Sequence, residues 1–184
     1  MVGSVRFSTS SSLSRRSSLE RDLLGAAITG QAAGFFMLAA MMVSFTVFLG
    51  KAWYHPVQVI GAFVLGEEAL PGSFSLMAFG TGLVIHQLIA SFAWSLAFGA
   101  LINKAQRTVS NVLGLGLAIG VASQIAGAAL IAPTVMGQLH GHNIWAEHVP
   151  QTWSWIAHLV FGASFLLFIP VRQVLRRRAY SLGV

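Results

Sequence analysis

The chain has 184 residues, of which 55% are hydrophobic and only 9% are charged, and its mean hydropathy is +0.74. A water-soluble domain carries roughly 25% charged residues, so the composition excludes an ordinary hydrated surface and predicts that most of the surface faces lipid. The absence of cysteine excludes disulfides, thiolate metal sites and a cysteine nucleophile.

The first eighteen residues, 1–18, are rich in serine and arginine and contain no acidic residue. This composition predicts a flexible basic arm on the cytoplasmic side rather than part of a packed core. Ser17 and Glu20 have the spacing of a capping box, which predicts that the first long helix begins near Ser18.

Length and hydropathy predict an all-α fold, an integral membrane bundle of four transmembrane helices within residues 19–171, followed by a basic tail at 172–184. Pro133 and Pro170 are expected to end the third and fourth helices. The four spans are expected at about residues 23–50, 76–102, 112–134 and 152–170.

A short helix is predicted after the first span, from His55 to Leu65, with Pro56 in its first turn. About ten apolar residues are too few to cross a bilayer, so this helix is expected to be interfacial or re-entrant.

Small residues recur in the first and third predicted spans at intervals that allow two helices to approach closely. The predicted packing positions are Ala26, Gly30, Gly34, Gly116, Gly120 and Gly127.

Ten of the eleven basic residues fall at one end of this four-span arrangement, and Lys51 falls at the other. The positive-inside rule therefore predicts that both termini are cytoplasmic in a bacterial inner membrane. The mitochondrial inner membrane is the alternative, because the Ser- and Arg-rich arm is also typical of a transit peptide. The basic residues then determine topology and attract bound lipid, without any need for nucleic acid. The predicted lipid head-group contacts are Arg172, Arg176, Arg177 and Arg178.

Two histidines, His86 and His158, lie inside the second and fourth predicted spans, at similar depths. An ionisable residue within a membrane is costly and is by default a functional-site hypothesis. The two halves of the chain also look alike, which predicts a parallel internal repeat that brings these histidines together. They could then ligate a b-type haem as axial ligands. The alternatives are a proton relay, or hydrogen bonds within the bundle to groups such as Thr81, Gln124 and Ser164.

The predicted second outer loop contains His140, His142 and His148, with Glu147 beside the last of them. Imidazole and carboxylate groups suit zinc or copper, so these three histidines are a candidate metal site. The alternative is a solvated polar loop.

A phrase of the form His-x-x-hydrophobic-small occurs twice, from His86 to Ala90 and from His158 to Gly162. In this the chain resembles small bacterial four-helix inner-membrane proteins that carry a histidine in the second and fourth spans. The resemblance covers residues from about Gly25 to Pro170 and implies the four-helix fold, but no reaction.

Motifs typical of nucleophilic catalysis or nucleotide binding do not occur in the sequence, so we expect no enzymatic activity. The leading expectation is an accessory or structural subunit of a larger membrane complex, respiratory or photosynthetic in type, with other membrane subunits as partners. A haem- or metal-binding electron-transfer protein using His86 and His158 is the second expectation. A small transporter or channel is the third.

Overall fold

The computed structural model describes the backbone of residues 10–181 and the side chains of residues 18–88 and 91–178. All regular structure in this part of the chain is helical, with no strand. Four helical stretches are long and apolar enough to cross a membrane, which confirms the predicted all-α class with four candidate spans. The spans are Ser18–Leu49, Leu76–Ile102, Val109–His140 and Gln151–Arg178.

The first helix, α1, covers Ser10–Leu49 and begins eight residues before the predicted start near Ser18. The capping-box spacing does not mark a boundary because no glycine or proline interrupts the chain between Ser10 and Leu24. Residues 10–18 of the predicted flexible arm are therefore helical, whereas residues 1–9 lie outside the described part of the chain.

The short helix α2, His55–Leu65, has the predicted bounds and carries a proline in its first turn. Its residues 56–62 are all buried. It packs against α1 and against helices of the second and third spans.

The three later spans are each divided by a short segment of different helical pitch. Two of these segments are π-helical and one is a 3-10 turn. The second span is α3 (Leu76–Val84), the π-helical Ile85–Ser91 and α4 (Phe92–Ile102), and the third is α5 (Val109–Gln124), the π-helical Ile125–Ile131 and α6 (Ala132–His140). A short α7 (Ile144–His148) precedes the fourth span, which is α8 (Gln151–Ser164), the 3-10 turn Phe165–Leu167 and α9 (Phe168–Ser181).

Neither Pro133 nor Pro170 ends its span, contrary to expectation. Pro133 lies in the first turn of α6 and Pro170 lies within α9, and both helices continue beyond them. A proline normally clashes with the carbonyl four residues earlier and removes one hydrogen bond. Here that carbonyl belongs in each case to the π-helical or 3-10 segment, where the bonding pattern has already changed, so the helix continues.

The first span is the centre of the packing, since α1 contacts both the second and the fourth spans. The fourth span also packs along the third through α5 and α8. The second and third spans contact each other through α4 and α5, near the loop that joins them. At the other end, α2 contacts both α3 and α6 and so lies between these two spans.

We call the end that carries Asp22, Arg107 and Arg172 the basic end, and the end formed by residues 50–75 and 141–150 the loop end. Three buried phenylalanines pack near the basic end: the ring of Phe98 stacks on Phe165 at 4.3 Å between centroids and meets Phe168 edge-on at 5.4 Å. The outward surface is apolar too, with exposed side chains such as Phe35, Val47 and Val84, as expected of helices facing lipid.

Most of the predicted small-residue packing positions lie at contacts between helices. A Cβ added to Gly116 would meet the backbone of Gly162, and one added to Gly30 would collide with Ser95. Ala26, Gly34 and Gly120 are likewise closely approached by neighbouring helices. Gly127 is the exception, because nothing lies within 4 Å of the position that its Cβ would occupy. The prediction that Gly127 packs within the bundle is wrong.

Candidate functional site

The interior of the bundle contains two hydrogen-bonded groups of polar side chains, which together we call the polar centre. The first group consists of Gln31, His86, Gln87 and Ser91, and the second consists of Gln124, Ser154 and His158. These side chains come from all four spans. Buried polar side chains in an apolar span are costly unless they find partners, so their contacts indicate what the centre can do.

His86 lies in the π-helical segment Ile85–Ser91 and is only 4% exposed. Its Nδ1 lies 3.3 Å from Gln87 Oε1 and 3.5 Å from Ser91 Oγ. Because an amide oxygen can only accept, the proton in the first bond is on Nδ1 of His86. The extra residue of a π-turn re-aims side chains, and such turns are frequent at functional sites.

Gln87 connects this histidine to the first span. Its Nε2 donates to the backbone oxygen of Gln31 at 3.3 Å, and Gln31 Nε2 donates to the backbone oxygen of Gln87 at 3.0 Å. Gly34 makes this approach possible, because a Cβ there would collide with Gln87 and Ser91. The small-residue face of α1 therefore serves to admit polar side chains from the second span.

His158 occupies a corresponding position on the fourth span and is 8% exposed. Its Nδ1 donates to the backbone oxygen of Ser154, one turn earlier, at 2.8 Å. Ser154 Oγ in turn donates to Gln124 Oε1 on the third span at 2.6 Å. The sequence identified Gln124 as a possible partner of a histidine, but the structure pairs it with Ser154 instead.

His86 and His158 use the same ring nitrogen for their hydrogen bonds. In both imidazoles Nδ1 binds an acceptor on its own helix, which leaves Nε2 as the nitrogen with an available lone pair in the neutral form. This is the usual arrangement of a metal-ligating histidine. These bonds hold each imidazole against its own span, and none of them joins a histidine to a neighbouring helix. Neither Thr81 nor Ser164 contacts a histidine through a described hydrogen bond.

The three histidines of the predicted metal site have different neighbours at the loop end. His140 Nε2 lies 3.4 Å from the backbone oxygen of Phe63, and the ring of His148 lies 5.4 Å from the ring of His55. His142 Nε2 lies 2.9 Å from Glu67 Oε1. Of the three, only His142 is described in contact with carboxylates, whereas His140 contacts Phe63 and His148 contacts His55.

Two loop-end histidines have shifted pKa values, in opposite directions. Burial lowers the pKa of His55, and the nearby charges of His148 and Lys51 lower it further. The hydrogen bond that His142 donates to the Glu67 carboxylate raises the pKa of this exposed histidine. His55 therefore favours its neutral form in the folded protein, and His142 favours its protonated form.

At the basic end Asp22 is completely buried and binds two arginines. Arg107, in the loop before α5, approaches Asp22 Oδ2 with Nη2 and with Nε, the latter at 3.1 Å. Arg172 Nε donates to Asp22 Oδ1 at 2.6 Å. Arg107 also donates to Ser18 Oγ and to Asn103 Oδ1.

This ion cluster corrects the prediction that Arg172 contacts lipid head groups. Its side chain is 18% exposed and its Nε proton is directed at the Asp22 carboxylate. By contrast Arg176, Arg177 and Arg178 are exposed. The sequence contains a signal for the cluster, because Asp22 is the only aspartate in the chain and lies at the start of an apolar span.

No protein-family model, curated protein or solved structure matches the chain. The functional argument therefore rests on the chain's own residues.

Proposed function

We propose that the protein is a non-catalytic accessory subunit of a larger membrane assembly, respiratory or photosynthetic in type. In this proposal both termini are cytoplasmic in a bacterial inner membrane, with the mitochondrial inner membrane as the alternative. The loop end then faces the opposite compartment.

The observation that carries the proposal is an unoccupied small-residue surface on the third span. Open space lies beside Gly127, and exposed Ala129, Leu130 and Ile131 follow it in the same π-helical segment. Because lipid provides no hydrophobic drive for helix association, transmembrane helices associate where small residues allow close backbone approach. This surface fits a helix of another subunit.

The glycines of the third span support this assignment because they divide into two groups. The backbone of the fourth span fills the space beside Gly116 and Gly120. Gly114, Gly127 and Gly137 have nothing within 4 Å. Close packing within the chain thus accounts for one group, and contact with a partner would account for Gly127, which lies at mid-span.

Substitution of Gly127 tests the proposal. We expect the wild-type chain, purified from its native membrane in mild detergent, to co-migrate with larger subunits on native gels. Gly127→Leu should leave the helical circular dichroism unchanged and release the chain from the assembly. Gly114→Leu, at an equally open position near the basic end, should retain assembly. A wild-type chain that purifies alone, or a Gly127→Leu variant that stays assembled, contradicts the proposal.

A second candidate, a b-type haem protein, is favoured by the free Nε2 atoms of His86 and His158 in the polar centre. His86 and His158 would hold the haem iron, and haem would supply one-electron transfer. Gln87 and the Ser154 backbone would hold the imidazoles in the ligating tautomer.

A reduced-minus-oxidised spectrum of the membrane-extracted protein tests this candidate. If it is correct, b-type bands are present in the wild type, absent in His158→Ala, and retained in the loop-end control His140→Ala. A wild-type spectrum without such bands eliminates the haem candidate and leaves the accessory role unaffected.

A further inference from the structure

Two loops that are distant in sequence meet at the loop end through three side chains with metal-ligating atoms. Glu67 follows α2, whereas His142 and Glu147 lie between the third and fourth spans. One ligand atom from each of the three lies within 4.8 Å of the other two. His142 Nε2 is 2.9 Å from Glu67 Oε1 and 3.8 Å from Glu147 Oε2.

Short, well-anchored backbone segments carry all three residues. Glu67 lies in the 3-10 turn Gly66–Ala69, and buried Gln58 holds that turn by donating to the Ala69 backbone oxygen at 2.7 Å. His142 follows Gly141, which ends α6 with a φ of +84°. Asn143 caps α7, the helix that carries Glu147. The ligand side chains can therefore rotate while the distance between their backbones stays set.

We propose that Glu67, His142 and Glu147 form a binding site for a divalent transition-metal ion of the zinc class. Zinc takes nitrogen ligands at about 2.0–2.1 Å and carboxylate oxygens at about 2.0–2.2 Å, so tetrahedral ligand atoms stand about 3.4 Å apart. The two distances from His142 Nε2, 2.9 Å and 3.8 Å, lie on either side of that value. Small side-chain rotations would bring all three atoms onto one ion.

The donor set determines the class of metal. Imidazole favours zinc, copper, nickel and iron over magnesium and calcium, which prefer all-oxygen sites. The two carboxylates balance the charge of a divalent ion. With three protein ligands, the fourth position is left to water, as in an exchangeable or catalytic zinc site rather than a closed structural one.

This set differs from the three histidines that the sequence indicated. Of those, only His142 remains, and the carboxylates replace His140 and His148, whose rings face Phe63 and His55. The ion would join the loop after the first span to the loop before the fourth, so metal occupancy would link the two halves of the chain. This inference does not depend on the accessory-subunit role.

Isothermal titration of the full chain with ZnCl2 tests the proposal. The protein is purified in detergent without a histidine tag, and magnesium and calcium chloride serve as comparison titrants. We expect one zinc ion per chain, no competition from millimolar magnesium, and a rise in unfolding temperature with zinc. Glu67→Gln, His142→Ala and Glu147→Gln should each weaken zinc binding ~10-fold or more, since loss of even an outer-shell partner can cost 10- to 100-fold.

Three control variants keep the test specific. Glu68→Gln removes the neighbouring carboxylate, and His140→Ala and His148→Ala remove the other two histidines of the loop. Zinc affinity should be unchanged in all three, and circular dichroism should show the same helical content in every variant. A wild type that binds no zinc at micromolar concentrations, a Glu67→Gln/His142→Ala double variant with wild-type affinity, or an equal loss in the histidine controls overturns the proposal.

Discussion

The two ends of the bundle join distant parts of the chain by the same kind of charge pairing, in opposite surroundings. At the basic end the carboxylate of Asp22 is fully buried and bonded by Arg107 and Arg172. At the loop end His142 and Glu67 are 41% and 59% exposed. The difference in burial determines what each group of charges can do.

A buried charge that loses its partner strongly destabilises a protein, whereas an exposed ion pair contributes little. The ion cluster at the basic end therefore stabilises the contact of the first span with the loop before α5 and with the fourth span. At the loop end, the exposed charged side chains can replace their contacts with each other by contacts with water, a proton or a metal ion. This comparison predicts unequal effects of similar substitutions at the two ends.

The largest effect is expected for Asp22→Asn, which removes the charge and keeps the shape. The free energy of unfolding should fall by about 3 kcal/mol, the lower end for a broken buried pair, because both arginines retain some contact with water. Thermal unfolding in detergent, followed by circular dichroism, measures it. The loop-end control Glu67→Gln, in the presence of a chelator, should be indistinguishable from wild type. Equal losses at the two ends would refute the comparison.

A smaller effect is expected for Arg172→Ala, which removes one of the three charged hydrogen bonds to Asp22 and leaves both of those from Arg107. Such a bond contributes about 1.5–3 kcal/mol. Arg177→Ala, at an exposed position on the same helix, should change the free energy of unfolding by no more than about 0.5 kcal/mol. The two variants lose the same charge, so any difference in urea or thermal unfolding reports the Asp22 contact. A similar decrease in the free energy of unfolding of both variants would show that Arg172 acts through the overall charge and not through its contact with Asp22.

The smallest effect is expected at the loop end, where pH should act on two histidines in opposite directions. The lowered pKa of His55 means that its contribution to stability is complete above the unfolded pKa of about 6.5 and is lost as pH falls toward the folded pKa. The raised pKa of His142 means that its contribution is complete below about 6.5 and is lost as pH rises through the folded pKa.

Unfolding temperature measured in chelator-treated protein between about pH 5 and 8 separates the two histidines. Relative to wild type, His55→Gln should lose less stability on acidification, and His142→Gln should lose more. Parallel pH profiles for the two variants would show that the charges of the loop end do not respond independently.

The sequence predicts those parts of the fold that depend on the length of its apolar segments. Long apolar runs identified all four spans, and the proline in the first turn identified the start of α2. Helix ends that depend on local pitch could not be predicted. Pro133 and Pro170 indicate helix ends only if the preceding turn is a regular α-turn, and in this chain it is not.

The polar centre could be predicted only in part, for a related reason. His86 and His158 are conspicuous because ionisable residues are rare in apolar spans. Gln31, Ser91 and Ser154 are ordinary in sequence and become important only because the helices that carry them pack together. The predicted repeat likewise did not reveal that His86 lies in a π-helical segment and His158 in the α-helical part of its span.

The ion cluster at Asp22 has a consequence for biosynthesis. Asp22 enters the membrane region with the first span, but Arg107 follows 85 residues later and Arg172 follows 150 residues later. The carboxylate therefore obtains its second partner only when translation has nearly reached the end of the chain. A ribosome product that stops before the fourth span carries an Asp22 that lacks this partner. The cluster thus distinguishes a chain that carries the fourth span from one that is truncated before it.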